Sequence, residues 1–108
     1  MLDYYILLDN KKVEPVKNAL KWGRWMEENR ENSVVKQEDV GDYRISTTFL
    51  GLDHGYLGGG LLLFETMVFK IKGKKIDYSD LDMERYPDYK EAVKGHKRMV
   101  NKWKKKIN

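Results

Sequence analysis

The stretch from Arg44 to Phe69 constrains this chain most. Ser46-Thr47-Thr48-Phe49-Leu50-Gly51-Leu52-Asp53-His54 leads through a glycine-rich segment into Leu61-Leu62-Leu63-Phe64-Glu65-Thr66-Met67-Val68-Phe69. Both flanks are rich in β-branched and aromatic residues, so they read as the two strands of a hairpin. Two residues suffice to close a hairpin, yet here Asp53 to Gly60 intervene, with Asp53-His54 at the mouth and Gly58-Gly59-Gly60 at the exit. A connection longer than closure requires is a natural place for binding.

The rest of the chain arranges itself around that hairpin. Asp3 to Leu8 alternates and is rich in Tyr and Ile, which predicts a strand closed by Asp9-Asn10. Pro15 suits the first position of a helix, after which Val16, Ala19, Leu20, Gly23 and Met26 recur on one face up to about Asn29. On that helix Trp25 points away from the apolar stripe, which leaves two uses for it: folding back onto another element, or anchoring a partner. Val34 to Val40 and Asp42 to Asp53 predict a second hairpin, and Leu61 to Ile71 pairs again with the latter. After Pro87, Asp88 to about Lys106 places Tyr89, Ala92, Val93, His96, Met99, Val100, Trp103 and Ile107 on one helical face, with lysines on the others. The expected fold is therefore a single α+β domain spanning residues 1–108. Its order is β-α-β-β-β-α, an antiparallel sheet of three to four strands with two amphipathic helices on one side, the first strand serving as the fourth.

Composition narrows the function. Cys is absent from the 108 residues, which excludes disulfides, thiol nucleophiles and cysteine-ligated zinc. No stretch approaches the length of a membrane span, and no basic segment precedes the short apolar run at the N-terminus. A cytoplasmic protein with no membrane partner is the expectation. The net charge of +4 is unevenly spread: from Lys90 onward eight Lys or Arg stand against one acid, leaving 13 basic and 16 acidic residues before it. A lysine-rich last turn complements the helix dipole and stays solvated, so nucleic acid is a partner that this charge permits without favouring.

Strand parity supplies the chemical candidates. With a period of two, Tyr43, Ile45, Thr47, Phe49 and Gly51 share one face, and Leu61, Leu63, Glu65, Met67, Phe69 and Ile71 share one face of the partner strand. If both sets meet the helices, Glu65 is the one charge among them and needs donors, which His96, Thr47 and Tyr89 are placed to provide. The opposite face would then carry Arg44, Ser46, Thr48, Thr66 and Lys70, a polar strip able to receive an anion. Asp53, His54, Glu65 and His96 lack the close spacing of metal ligands, so neither a metal nor any other cofactor is expected. Asp53 is suited to cap the loop backbone, with His54 at its rim.

Four blocks carry a family likeness. Ser46-Thr47-Thr48-Phe49-Leu50-Gly51-Leu52-Asp53-His54, Leu62 to Phe69, Glu84-Arg85-Tyr86 and Glu91-Ala92-Val93-Lys94-Gly95-His96 resemble, in the same order, those of a family of small accessory proteins encoded by tailed bacteriophages. The resemblance implies an accessory phage protein acting in the cytoplasm of the infected host cell, with motif positions at Asp53, His54, Glu65, Thr66, Arg85, Tyr86 and His96. The chain departs from the family in its lysine-heavy tail and in its Gly-Tyr-Leu-Gly-Gly-Gly loop.

The expected function is non-enzymatic binding that interferes with a host system, by blocking a host protein or by sequestering a small anionic, nucleotide-like ligand. In the second form Arg44, His54, Arg85 and the amides of Gly58 and Gly59 would grip the anion, and Trp25 or Tyr56 would stack on a base. The alternatives are a small enzyme using Glu65 and His96 as an acid-base pair, a nucleic-acid binder led by the terminal helix, and a minor virion or assembly component. Homo-oligomers are compatible with each.

Overall fold

The computed structural model describes residues 4–53 and 61–107. Its elements are β1 (Tyr4–Leu7), β2 (Val13–Val16), α1 (Ala19–Glu28), β3 (Val34–Val40), β4 (Tyr43–Phe49), β5 (Phe64–Lys72), β6 (Lys75–Tyr86) and α2 (Tyr89–Ile107). β3-β4-β5-β6 form an antiparallel four-stranded sheet, and β1-β2 a separate antiparallel pair. The fold is α+β, as the pattern of elements predicts, with two strands more than the sequence reading expects.

The first addition is β2. Lys11 adopts a left-handed φ of 69° and Asn10 Oδ1 accepts the Lys12 amide at 3.0 Å, which turns the chain back on β1. Pro15 therefore lies opposite Tyr5 in a strand with a free outer edge, where a missing N–H is tolerated, and not at a helix start. Asn18 caps α1 instead, accepting from the Leu20 and Lys21 amides. β1 touches the chain just beyond β4 through a Tyr4–Leu52 bridge and a Tyr5 amide bond to Gly51 oxygen of 2.8 Å, but it pairs with β2 and is not the fourth strand.

That fourth strand is β6, entered through Gly73 at φ 64° in a two-residue turn. Its twelve residues are dominated by charged and polar side chains, because as an edge strand it meets solvent over much of its length. Pairing runs Val68 to Asp82 and then Lys70 to Asp77, so β6 carries three residues more than β5 there and bulges outward, leaving Tyr78 76% exposed.

α1 turns a different face inward from the one expected. Leu20 is 82% exposed, while Trp25 stands edge-on to Phe49 with ring centroids 5.9 Å apart. Burying indoles removes more apolar surface than burying Ala19 and Leu20, and that difference decides the rotation. Trp25 thus packs back onto another element, the first of its two expected uses, and stays partly exposed. Gly51, at φ 75°, is where α1 closes on the end of β4: a β-carbon there would come within 2.8 Å of Met26 Sδ and Trp22 Nε1.

α2, capped by Asp88 Oδ1 on the Glu91 amide at 2.8 Å, covers one face of the four-stranded sheet. Its own Ala92, Gly95, His96, Met99, Val100 and Trp103 are buried against the sheet. On the sheet side sit Ile45, Thr47 and Phe49 of β4, as parity predicts, but Phe64, Thr66 and Val68 of β5. The β5 parity is opposite to the expected one. Leu61 to Phe64 is apolar without alternation and leaves the parity open, which pairing of Thr47 with Thr66 and of Phe49 with Phe64 then settles. Two apolar clusters result, one around Phe49, Phe64, Tyr86 and Ala92, the other around Ile45, Val68, Met99 and Trp103.

Candidate functional site: a cleft between the C-terminal helix and the edge strand

The sheet face under α2 is apolar at both ends and polar in the middle, because Thr47 lies between Ile45 and Phe49, Thr66 between Phe64 and Val68, and His96 between Ala92 and Met99. Each of these groups must be paired to be buried, and they pair with one another. Tyr86 Oη donates to Thr66 Oγ1 at 2.9 Å, Thr66 Oγ1 lies 2.5 Å from Thr47 Oγ1, and Thr47 Oγ1 lies 2.6 Å from His96 Nδ1. The chain ends where His96 Nε2 meets Glu38 Oε1 at 2.8 Å.

Proton count orients the chain. A carboxylate accepts, so Nε2 carries a proton and donates to Glu38. In the tautomer with its one ring proton on Nε2, Nδ1 accepts from Thr47, which accepts from Thr66, which accepts from Tyr86, and every hydroxyl proton is used once. Burial pushes the Tyr86 phenol above its ordinary range, against the opposing pull of the Thr66 hydrogen bond, and so favours the protonated donor. Four separate segments each contribute one side chain to this buried system: Thr47 from β4, Thr66 from β5, Tyr86 from β6 and His96 from α2.

Glu38 opens into a cleft of about 480 Å³ between β3 and α2. The cleft is lined by the apolar Val35, Tyr89, Val93 and Val100, by Glu38 with the buried His96, and by the exposed polar residues Lys36, Lys97, Asn101 and Lys104. Val35 belongs here because of an irregularity between Val34 and Lys36, where β3 has one residue more than β4 opposite it. Val93, although on the apolar stripe of α2, is 48% exposed at this opening.

The expected pairing of Glu65 with His96 does not form, since the shifted parity of β5 puts Glu65 on the other sheet face. There it is only 7% exposed and accepts from Arg85 Nε at 2.9 Å. An acid-base pair of Glu65 and His96 is thereby ruled out by geometry. His96 does find a hydroxyl on its own sheet face, Thr47, which is the other partner that parity offers it.

The expected anion strip is also corrected. Thr66 and Lys70 lie on the α2 side; Lys70 sits 4.6 Å over the Tyr43 ring. Arg44 remains opposite with Ser46 and Thr48, beside Met67 and Phe69, but both its Nε and Nη2 are bound to Asp39, at 2.9 and 3.2 Å. That hydrogen bond foremost holds the Asp39 carboxyl below its ordinary range. With Arg85 held by Glu65, neither guanidinium of this face is an uncompensated anion grip. Asp53 Oδ1 accepts the Leu62 amide at 3.1 Å and so closes the loop mouth as a backbone cap. His54, Tyr56, Gly58 and Gly59 lie outside the described residues.

Glu38, Lys36, Lys97 and Lys104 are the site residues that sequence reasoning passed over. Counting back by two from Val40, which closes the hairpin, puts Glu38 and Lys36 on the α2 face, so the signal for them was present. Among the described residues no three His, Asp or Glu side chains converge as metal ligands do. No described helix is long and apolar enough to cross a membrane. Comparison of the chain with protein-family models, with curated proteins and with solved structures gave no match.

Proposed function

We propose that this chain is a non-enzymatic binding protein, that the cleft between α2 and β3 is its recognition site, and that it sequesters a small anionic ligand. The observation that carries this reading is the placing of Lys97 and Lys104, with Lys36 paired to Glu38 at 3.7 Å, along one cleft that is also lined by Val35, Tyr89, Val93 and Val100. Ammonium groups on such a rim attract an anion, and the low-dielectric walls strengthen the attraction. The volume falls within the range of small-molecule sites.

The state of His96 supports binding over catalysis. It is 2% exposed, and both ring nitrogens are engaged, one by Thr47 and one by Glu38. A general acid or base needs a nitrogen that reaches substrate. The resemblance to phage-encoded accessory proteins suggests an infected bacterial cell as the setting, where removing a small anion from solution would disarm a host system that depends on it.

Native mass spectrometry of the protein recovered from infected cells tests the proposal. The expected result is an adduct of small anionic mass that disappears when Lys97 and Lys104 are both changed to Gln. An adduct-free wild-type chain would overturn it, and so would a host protein retained equally by wild type and variant.

A further inference from the structure

We propose, building on the reading of this cleft as an anion site, that its ligand is a nucleoside monophosphate whose base carries an amino group. Three features of the cleft select that chemistry together.

The first is Glu38. Its carboxylate is oriented by His96, which is itself held through Thr47, Thr66 and Tyr86, so the acceptor cannot swing away without disturbing the buried chain. Oε1 serves His96 and lies 3.7 Å from Lys36 Nζ, and Oε2 takes no hydrogen bond among the described residues. A fixed carboxylate inside a lysine-rimmed cleft repels a simple anion but attracts a ligand that presents an N–H there. The ligand must therefore carry a donor at one end and negative charge at the other.

The second is the shape of the walls. Val35 and Tyr89 border the end of the cleft nearest the start of α2, and Val93 follows one turn later. A base lying against these apolar side chains would turn its amine toward Glu38.

The third is the spacing of charge. Val93, Lys97, Val100, Asn101 and Lys104 succeed one another along the same side of α2. Lys104 lies seven residues beyond Lys97, or about 10 Å along the axis. Ribose spans the middle of that distance, and the phosphate reaches Lys97, Asn101 and Lys104.

Titration calorimetry on the intact chain separates this inference from the reading beneath it. Adenosine monophosphate is compared with inosine monophosphate, which has the same shape but a carbonyl in place of the amine; ribose 5-phosphate and inorganic phosphate serve as anions without a base. The expected result is at least ~10-fold tighter binding of the adenosine than of the inosine compound, with ribose 5-phosphate weaker than both. Glu38→Gln should erase the preference, whereas Lys97→Gln with Lys104→Gln should weaken both nucleotides by a similar factor. Equal affinity for the two nucleotides, or for ribose 5-phosphate, overturns the nucleotide inference and leaves the anion site standing. Failure of all four compounds to bind at millimolar concentration overturns both. The wild-type comparison alone is decisive should Glu38→Gln fail to fold.

Discussion

Gly95 of α2 lies against the Tyr86 ring so closely that a β-carbon on Gly95 would overlap Cε1, Cζ and Oη of the tyrosine. The helix can approach the sheet at this point only because residue 95 has no side chain. The same approach carries His96, the next residue, into reach of Thr47.

Gly95→Ala reverses the usual propensity argument. In a free helix the change would stabilise by about 1 kcal/mol. Here it should destabilise by about 1–3 kcal/mol, because either the Tyr86 ring or the helix must move. Urea denaturation of the two proteins measures this, and a stabilised variant would mean that the close approach is not kept in solution.

Tyr86→Phe removes one donor from the buried chain and should cost about 1 kcal/mol. Its pH signature is more specific. The folded phenol is raised above the ordinary value of 10.0, so its contribution is whole below that pH and is lost as pH rises toward the folded value. Stability of the wild type should decline more steeply than that of Tyr86→Phe above about pH 10. Parallel alkaline limbs in thermal melts of the two proteins would count against a buried phenol.

Arg85 and Glu65 should prove unequal. The Glu65 side chain is 8% exposed and that of Arg85 30%, so Arg85→Ala strands a carboxylate in a dry site, whereas Glu65→Ala leaves an arginine able to reach water. Expected losses are about 2–4 kcal/mol for Arg85→Ala and clearly less for Glu65→Ala. A double-mutant cycle by chemical denaturation gives both numbers, and equal single losses would contradict the burial asymmetry.

At Asp82 the acid limb of stability becomes testable. Burial acts to raise this carboxyl, but hydrogen bonds from the Lys102 ammonium, the Trp103 indole and the Met83 amide together hold it below the ordinary 3.8. Its contribution is therefore whole above that value and lost as pH falls through the folded value. Asp82→Asn should flatten the stability profile below about pH 4. Unfolding midpoints followed across acid pH check this, and identical profiles would remove Asp82 from the account.

By itself the sequence determined the α+β class, the β3-β4-β5 succession and the buried face of α2. Each rests on a signal internal to one segment: the period of 3.6 from Ala92 to Trp103, the alternation from Tyr43 to Phe49, the turn glycine at Gly41. It also marked His96 as a buried group in need of partners and placed Thr47 on the right face.

Tertiary structure decided the rest, wherever the local pattern had two solutions of similar merit. Leu61 to Phe64 supports either parity of β5, and only pairing with β4 turns Thr66 inward and sends Glu65 to Arg85. β6 has too little apolar alternation to declare itself and is a strand because β5 offers it a free edge. Ala19 and Leu20 compete with Trp25 for the inward side of α1, and contact with Phe49 resolves the competition. The cleft belongs wholly to this level: Glu38 is 58 positions from His96, and no local rule joins a strand carboxylate to a helix imidazole until the sheet brings them to 2.8 Å.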